Sequence, residues 1–205
     1  MNELNQIQKY YDRKAEENAQ EWYSNDAILP NIKDFLSLLP KEPTILDLGC
    51  GTGPESKRLQ SLGAKVTGID ISQESIRIAR DRNPDISFII GNFTTIDESI
   101  GQFDGVFAAA SLIHIAQEEI TRVLERIITI LKRNGTLCII IRDGHGKTVM
   151  YSIIDNKKYE RTIYFYTREE VSQYCKSIGL EFIRESQIVE SRAKFGWRCY
   201  LYEKK

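Results

Sequence analysis

Short apolar runs alternate along this chain with longer segments in which apolar residues recur at helical spacing. Near-continuous apolar runs predict strands buried on both faces, and the periodic segments predict amphipathic helices. Strands that alternate with helices in this way form a parallel sheet covered on both sides. The predicted strands cover residues 45–48, 66–70, 86–90, 103–111 and 136–141, and the predicted helices between them cover 54–62, 72–82 and 116–132.

Both ends of the chain extend this pattern. The polar segment 3–23, with its interleaved aromatic residues, predicts one helix or two short ones, and apolar spacing over 28–39 predicts another. Basic residues and a glycine at 132–135 predict the end of the helix over 116–132. Segment 142–161 is polar and lacks periodicity, so we expect a long loop, and long loops in compact domains are often functional. Beyond it we predict a strand over 162–166 and a capped helix over 168–177. Two strands over 180–190 and 195–203 should follow, joined by a hairpin-like connection at 191–194, and we expect the last strand to be antiparallel.

The strand over 45–48 runs directly into a glycine-rich loop. Gly49, Gly51 and Gly53 allow positive φ and bring bare backbone close to a ligand. Pro54 fits the first position of a helix, so we expect Gly53 to cap that helix. The loop and helix terminus therefore predict a nucleotide-type binding site.

The next predicted strand ends in Asp70, about 20 residues beyond the loop, where a carboxylate can meet a ribose diol. Together, the loop and this acid favour an adenosine-bearing cofactor over an ordinary tight turn. The NAD fingerprint requires a third glycine at position 54, and this chain has Pro54 there. Asp47-x-Gly49-x-Gly51-x-Gly53 instead resembles the first motif of the class I S-adenosylmethionine-dependent methyltransferases of the small-molecule type.

The resemblance extends from residue 45 to the end of the chain and implies an α/β fold. That fold is a Rossmann-like seven-stranded mixed sheet with its last strand antiparallel and helices on both faces. It implies one domain over 1–205, with an N-terminal helical lid segment at 1–40, a cofactor-binding core at 44–142, and a substrate loop and C-terminal strands at 143–205. The implied cofactor is S-adenosylmethionine, and the reaction is methyl transfer to a small-molecule acceptor by in-line displacement.

Family positions imply the following cofactor contacts. Asp47 would orient the loop and reach the methionine ammonium, while Asp70 would hold both ribose hydroxyls. Asn92 would accept a hydrogen bond from the adenine amine, although it could simply cap a loop. The segment Tyr10-Tyr11-Asp12, together with Tyr23, resembles the lid of the family, although it could be an aromatic stripe on the surface. The full set of cofactor candidates is Asp47, Gly49, Cys50, Gly51, Gly53, Asp70, Ile71, Asn92, Phe93, Ala109 and Tyr11.

Candidates for catalysis and acceptor binding are fewer. His114 follows the fourth predicted strand and could act as a base, since histidine titrates near neutral pH, although such a residue often bonds to backbone instead. Arg142, His145 and Tyr159 lie in the expected loop at the carboxyl edge of the sheet, where α/β proteins bind ligands. They are substrate candidates that could equally be solvated loop residues. A dedicated base is optional, because orientation alone can supply most of the rate enhancement.

Composition limits the classes of partner. The chain has 205 residues and a net charge of −1 without blocks of like charge, so we expect no nucleic-acid or membrane partner. Without an apolar leader or spanning segment, the expected location is cytoplasmic. The four cysteines form no C-x-x-C pair and predict reduced thiols, with neither a disulfide framework nor a metal site.

Several alternatives remain at this level. A scaffold or regulator that binds the cofactor without methyl transfer would use the same loop. An NAD-dependent oxidoreductase is disfavoured by Pro54. An amino-group or nucleic-acid methyltransferase would carry an Asn/Asp-Pro-Pro-Tyr/Phe motif where this chain has Ala109-Ala110-Ser111-Leu112. A metal-dependent catechol-type enzyme needs clustered carboxylates, of which only Asp143 is evident.

Overall fold

A computed structural model of the chain describes residues 3–188 and 196–205. Six helices and nine strands are defined within these residues. The helices are α1 (Glu3–Trp22), α2 (Leu29–Leu36), α3 (Pro54–Ser61), α4 (Gln73–Arg82), α5 (Gln117–Ile130) and α6 (Arg168–Ser177). The strands are β1 (Thr44–Leu48), β2 (Lys65–Asp70), β3 (Ser87–Ile90), β4 (Phe103–Ala109), β5 (Leu131–Arg142), β6 (Gly146–Ile154), β7 (Lys157–Phe165), β8 (Leu180–Ile188) and β9 (Trp197–Lys204).

Seven strands form one sheet in the order β3-β2-β1-β4-β5-β9-β8. The first five of these pair in parallel, whereas β9 runs antiparallel to both β5 and β8. Strand order reverses between β1 and β4, and open α/β sheets bind ligands in the crevice outside the carboxyl ends of the strands at such a point. The predicted seven-stranded mixed sheet is confirmed.

Each face of this sheet carries its own apolar core. Alternate residues of β1 divide between them, with Ile45 on one face and Leu46 on the other, because successive side chains of a strand point to opposite sides. One core packs against α2, α3 and α4, and the other packs against α5 and α6. Both faces are covered, which explains the near-continuous apolar runs of the parallel strands.

Helix α1 crosses the carboxyl edge of the sheet and contacts α4 and β7. Asp12 joins it to the start of α4, because its Oδ1 accepts hydrogen bonds from Ser72 Oγ (2.7 Å) and Glu74 N (3.2 Å). Tyr23, just beyond the helix, donates to the carbonyl of Thr52 in the glycine loop at 2.9 Å. The N-terminal helix is thereby tied to two elements at the crevice. In the part of the chain that the structure describes, no helix combines the length and apolarity needed to cross a membrane.

The prediction of a long loop over 142–161 is wrong. This segment and the strand predicted at 162–166 form the hairpin β6–β7, a separate two-stranded sheet. Its two-residue turn, Asp155-Asn156, has φ of 50° and 60°, as a type I′ hairpin turn requires. Asp and Asn tolerate this conformation, so the signal was present in the sequence.

The predicted end of the helix over 116–132 is also wrong. Helix α5 ends at Ile130, and β5 begins at Leu131 rather than at Thr136. Leu131 pairs with Phe103, and the Lys132 ammonium contacts Asp104 at 3.0 Å, so sheet pairing overrides the local stop signal. The connection predicted at 191–194 lies outside the described residues.

Candidate functional site

The glycine loop joins β1 to α3 in the predicted conformation. Gly53 has φ of 85° and caps α3, with Pro54 at the first helical position. Gly49 has φ of 74°, and a Cβ at this position would lie 2.5 Å from Ser111 Cβ, so only glycine fits there. A Cβ on Gly51 would meet no atom within 4 Å, which means that its bare backbone faces open space. The loop is therefore rigidly packed on one side and open on the other.

Asp70 closes β2 beside this loop. Its Oδ2 accepts from Gly51 N at 2.9 Å and its Oδ1 accepts from Ser72 N at 2.8 Å. Burial raises the pKa of the Asp70 carboxyl, while the hydrogen bonds from Ser72 and Gly51 act in the opposite direction. Each carboxylate oxygen has a second lone pair, so Asp70 can accept further hydrogen bonds from a ligand.

Asp47 lies beneath the loop and does not line the cavity described below. It is 2% exposed, and its Oδ2 accepts from Ser56 Oγ at 2.5 Å. Burial, reinforced by the nearby Glu55 charge, raises the pKa of Asp47 to about 8. At neutral pH Asp47 is therefore mainly a neutral acid that ties the end of β1 to α3.

A cavity of about 420 Å³ opens above the loop, at the carboxyl ends of β1, β2 and β4. Helix α1 and strand β7 form its other walls, and Tyr11 and Arg161 enter from these two elements. Asn92 lines it while its Oδ1 caps a 3₁₀ turn through Thr94 N at 2.9 Å, so the loop-cap alternative also holds. The sequence-predicted residues that line the cavity are Gly49, Cys50, Gly51, Asp70, Ile71, Asn92, Phe93, Ala109, Tyr11 and His114.

A hydrogen-bonded group of side chains lies on the cavity wall. The Tyr11 hydroxyl is 2.7 Å from His114 Nε2, and Arg161 Nη1 donates to the same hydroxyl at 3.3 Å. His114 Nδ1 lies 3.3 Å from the carbonyl of Thr162. Because a carbonyl only accepts, the proton of a neutral His114 lies on Nδ1, and Nε2 accepts from Tyr11. The group thus joins α1, the turn after β4, and β7.

His114 is neutral in this group. Burial lowers the pKa of His114 to about 4. The neighbouring Arg161 charge also lowers this pKa, whereas the hydrogen bond to the Thr162 carbonyl raises it. Burial also raises the pKa of Tyr11, although Arg161 opposes this shift. Both side chains are therefore uncharged at neutral pH, and they can pass a proton along an existing hydrogen bond.

Three predicted substrate residues lie away from the cavity. The Arg142 guanidinium lies over the Trp197 ring at 4.3 Å, and His145 is exposed beside Glu170 at 3.0 Å. Tyr159 lines a separate surface depression between α1 and the tip of the β6–β7 hairpin. They are dispersed because Arg142 ends β5, His145 lies in the connection before β6, and Tyr159 lies on β7 near the tip of the hairpin.

Gly53 likewise lies outside the cavity wall, where a Cβ would meet the Phe88 ring at 3.0 Å. Its place is in the cap of α3.

Among the residues on the cavity wall that the interpretation from sequence did not select, two bear on the chemistry, Arg161 and Ser111. Arg161 lies on β7, whose burial pattern does not alternate, so no local signal marked it. Ser111 is 5% exposed, and among the described residues its Oγ has no hydrogen-bond partner although it is buried. The preceding residue, Ala110, has φ of 55°, a strained conformation of the kind that concentrates at functional sites.

The donor set of the cavity fits an adenosyl cofactor. Asp70 offers a carboxylate beside the open backbone of Gly51, and the apolar surfaces of Ile71 and Phe93 lie nearby. The Ser111 hydroxyl has no hydrogen-bond partner within the described part of the chain. Residues 45–135 match the family described as a methyltransferase domain. Over these residues the chain matches a methyltransferase domain, and the fold and this match together support the class I S-adenosylmethionine-dependent methyltransferases as the class that the chain resembles. The predicted class, with S-adenosylmethionine as the cofactor of that class, is confirmed.

Two curated relatives are each 33% identical to this chain over the aligned residues. Magnesium-protoporphyrin O-methyltransferase from Rhodobacter capsulatus is 33% identical over 143 residues, covering 60% of this chain and 63% of the relative. The putative methyltransferase YqeM from Bacillus subtilis (strain 168) is 33% identical over 171 residues, covering 81% of this chain and 65% of the relative. The chain thus spans a little less than two thirds of the length of these two proteins.

Solved structures share the fold over nearly the whole chain. The 1,6-didemethyltoxoflavin-N1-methyltransferase from Burkholderia thailandensis, solved with S-adenosylhomocysteine, aligns with a TM-score of 0.77 and 17% identity. It covers 98% of this chain and 88% of the solved chain. Magnesium protoporphyrin IX methyltransferase from Synechocystis PCC 6803, solved with S-adenosylmethionine, aligns with a TM-score of 0.73 and 16% identity. The alignment covers 100% of this chain and 98% of the solved chain.

Proposed function

We propose that this chain transfers the methyl group of S-adenosylmethionine to a small-molecule acceptor. The observation that carries the proposal is one cavity with two chemically different parts. The glycine loop, Asp70 and Phe93 form a surface for an adenosyl group, and Tyr11 and His114 form a surface able to receive a proton. The proteins that it resembles act on magnesium protoporphyrin and 1,6-didemethyltoxoflavin, both small molecules.

The cofactor would supply a methyl group already activated on a sulfonium. For this chain, we assign the ribose hydroxyls to Asp70, the adenine ring to Ile71 and Phe93, and the amino-acid portion to the open backbone of Gly49 and Gly51. Asp47 supports the loop from below through Ser56. This division departs from the prediction that Asp47 itself reaches the methionine ammonium.

Tyr11 and His114 receive the proton that an acceptor hydroxyl or amine loses as it is methylated. Tyr11 takes that proton on its oxygen and passes its own to His114 Nε2 along their 2.7 Å hydrogen bond. Burial keeps the His114 imidazole unprotonated, so Nε2 is free to accept the proton. The same burial makes the imidazolium costly, so His114 is a weak base that takes the proton only as methylation makes the acceptor acidic. In this proposal Tyr11 contacts the acceptor.

Binding of S-adenosylhomocysteine tests the cofactor site. At a hundred times its Kd, this product should raise the unfolding free energy by about 2.7 kcal/mol, a shift of roughly 5–11 °C for a chain of this length. Asp70→Asn should weaken binding about 10–100-fold, because it removes the charge from hydrogen bonds to the ribose. Asp85→Asn is the control, since Asp85 is exposed and lies outside the cavity.

Methyl transfer is then measured with S-adenosylmethionine carrying a labelled methyl group and a panel of small hydroxyl, amine and carboxyl compounds. The proposed reaction is supported if wild type and Asp85→Asn form a labelled small-molecule product and Asp70→Asn does not. Binding of S-adenosylhomocysteine without transfer to any compound favours the scaffold alternative. A thermal shift with NAD alone would contradict the proposal.

A further inference from the structure

Arg161 is a cation on the cavity wall, and it has no acidic partner among the residues that the structure describes. Among the described residues, Lys14 and Arg161 are the cations that line the cavity, and Lys14 pairs with Glu17. The acids Glu55 and Asp70 are also engaged, Glu55 by Arg58 at 3.4 Å and Asp70 by two backbone amides. A partly buried charge without a counter-ion is costly, so an anionic ligand would be stabilised beside Arg161.

One edge of the Arg161 guanidinium has hydrogen-bonding capacity to spare. Nη1 donates to the Tyr11 hydroxyl, and the guanidinium carbon lies 4.3 Å from the centre of the Tyr10 ring. Within the described part of the chain, the buried Nε has no hydrogen-bond partner. The Nε–H and one Nη2–H point to the same side of a guanidinium, and such a pair binds the two oxygens of a carboxylate in parallel.

We propose that Arg161 forms a carboxylate-binding subsite, so that the methyl acceptor is a small carboxylic acid. The inference rests on the proposed methyl transfer and names the class of its acceptor. When the acid binds, the guanidinium turns its Nε–Nη2 edge toward the cavity while Nη1 keeps its contact with Tyr11. The bound carboxylate then supplies the counter-ion and the partner that Nε lacks.

The bound carboxylate is an anchor, and a second atom of the acceptor receives the methyl group. Hydrogen bonding to Arg161 lowers the nucleophilicity of the carboxylate, and methylation would remove its charge and thus the ion pair. Tyr11 bonds to both His114 and Arg161, so the anchored acid places a nearby hydroxyl or amine beside Tyr11. We infer an acceptor with a hydroxyl or amine close to its carboxylate.

S-Adenosylmethionine also carries a carboxylate, so the experiment must separate the two ligands. Protein saturated with S-adenosylhomocysteine is titrated by NMR with benzoate and with its neutral isostere benzamide. The wild type, Arg161→Gln and Arg126→Gln are compared. Arg126 is a matched control. Its Nε is also buried without a partner among the described residues, and its Nη1 also donates one hydrogen bond, to Ile96 O at 3.2 Å. Unlike Arg161, it lies outside the cavity.

Wild type and Arg126→Gln should bind benzoate about tenfold or more tightly than benzamide, the effect of roughly one charge-assisted hydrogen bond. Arg161→Gln should bind the two probes equally and retain wild-type affinity for S-adenosylhomocysteine. That retained affinity also shows that the variant is folded.

Equal binding of the two probes by the wild type, or absence of benzoate binding, would overturn the inference. A tenfold loss of S-adenosylhomocysteine affinity in Arg161→Gln would also overturn it, because Arg161 would then serve the carboxylate of the cofactor. If the wild type does not bind S-adenosylhomocysteine, the proposed function fails, and the same titrations of unloaded protein still decide whether Arg161 selects carboxylates.

Discussion

At the scale of single residues, the same side-chain type behaves in opposite ways according to its surroundings. Asp47 is buried under the loop, and burial raises its pKa to about 8. Asp104 at the other end of the sheet is also partly buried, but Thr44 and the Lys132 ammonium donate to it and hold its pKa below the usual range. Depth of burial, together with the number and charge of the donors, decides which of these two carboxyls is ionised.

Asp47→Asn should therefore change how stability depends on pH. In the folded wild type Asp47 keeps its proton up to about pH 8, whereas in the unfolded chain it loses the proton near pH 4. The protonated Asp47 therefore contributes its full stabilisation below pH 4, and this contribution is lost as the pH rises toward 8. Relative to Asp47→Asn, the unfolding free energy of the wild type should fall by about 1.4 kcal/mol per pH unit from pH 5 to 7. Urea unfolding at pH 5, 6 and 7 measures this difference.

Asp104→Asn supplies the control. Asp104 is ionised in both states over this range because its folded pKa is lowered, so its difference from wild type should stay constant from pH 5 to 7. A constant difference for Asp47→Asn as well would mean that Asp47 is ionised in the folded protein.

At the scale of elements, α1 is positioned by side chains rather than by the main sheet. Asp12 accepts from Ser72 Oγ and Glu74 N, and Ser72 Oγ in turn accepts from Ser75 N to cap α4. A carboxylate here also faces the positive end of the α4 dipole. At the end of α1, Arg58 donates to the carbonyls of Trp22 and Asn25, each at 2.9 Å. The helix that carries Tyr11 is thus held at its middle and at its C-terminal end.

Asp12→Ala should loosen α1. Removing the acceptor leaves Ser72 Oγ and Glu74 N to find water, at a cost of about 1–2 kcal/mol. Amide hydrogen exchange in α1 should become faster, while exchange in α6, which lies on the other face of the sheet, should not change. Asp12→Asn keeps an acceptor oxygen and should show a smaller effect. Unchanged exchange in α1 after Asp12→Ala would show that apolar packing alone holds the helix.

At the scale of the whole molecule, the cavity is assembled from segments far apart in the sequence. Tyr11 comes from α1, Gly49 and Asp70 from the ends of β1 and β2, His114 from the turn after β4, and Arg161 from β7. Pairing of β1 with both β2 and β4 brings three strand ends together at one edge. A ligand that fills the cavity therefore contacts α1, β7 and the ends of three strands of the main sheet at once.

Saturating S-adenosylhomocysteine should slow hydrogen exchange in α1 and β7 as well as in the glycine loop. The ligand adds contacts between these elements in the folded state, and their local opening would first require its release. Hydrogen exchange followed by mass spectrometry measures the change. Helix α6 should be unaffected because it does not line the cavity, and Asp70→Asn should lose the protection. Protection confined to the glycine loop would contradict a closed two-part site.

Local signals in the sequence determined the parallel sheet, the glycine loop, its capped helix and Asp70. These features depend on apolar periodicity, on positive φ and on spacing along the chain, which neighbouring residues dictate. They favoured an adenosine-bearing cofactor, whereas the class of protein and S-adenosylmethionine itself were predicted from the resemblance of the motif at residues 47–53 to that class. The hairpin β6–β7 was missed because its outward side chains are mixed in character, so the strands lack a clear apolar pattern.

Only the tertiary structure decided which residues share the cavity wall. Nothing in the sequence relates Tyr11 to His114 or Arg161, since these residues are 103 and 150 positions from Tyr11. Their contacts depend on how α1 and β7 pack over the sheet edge, and burial there fixes which groups are charged. Spacing along the chain thus determined the predicted cofactor site, and packing between distant elements determined the proposed acceptor site.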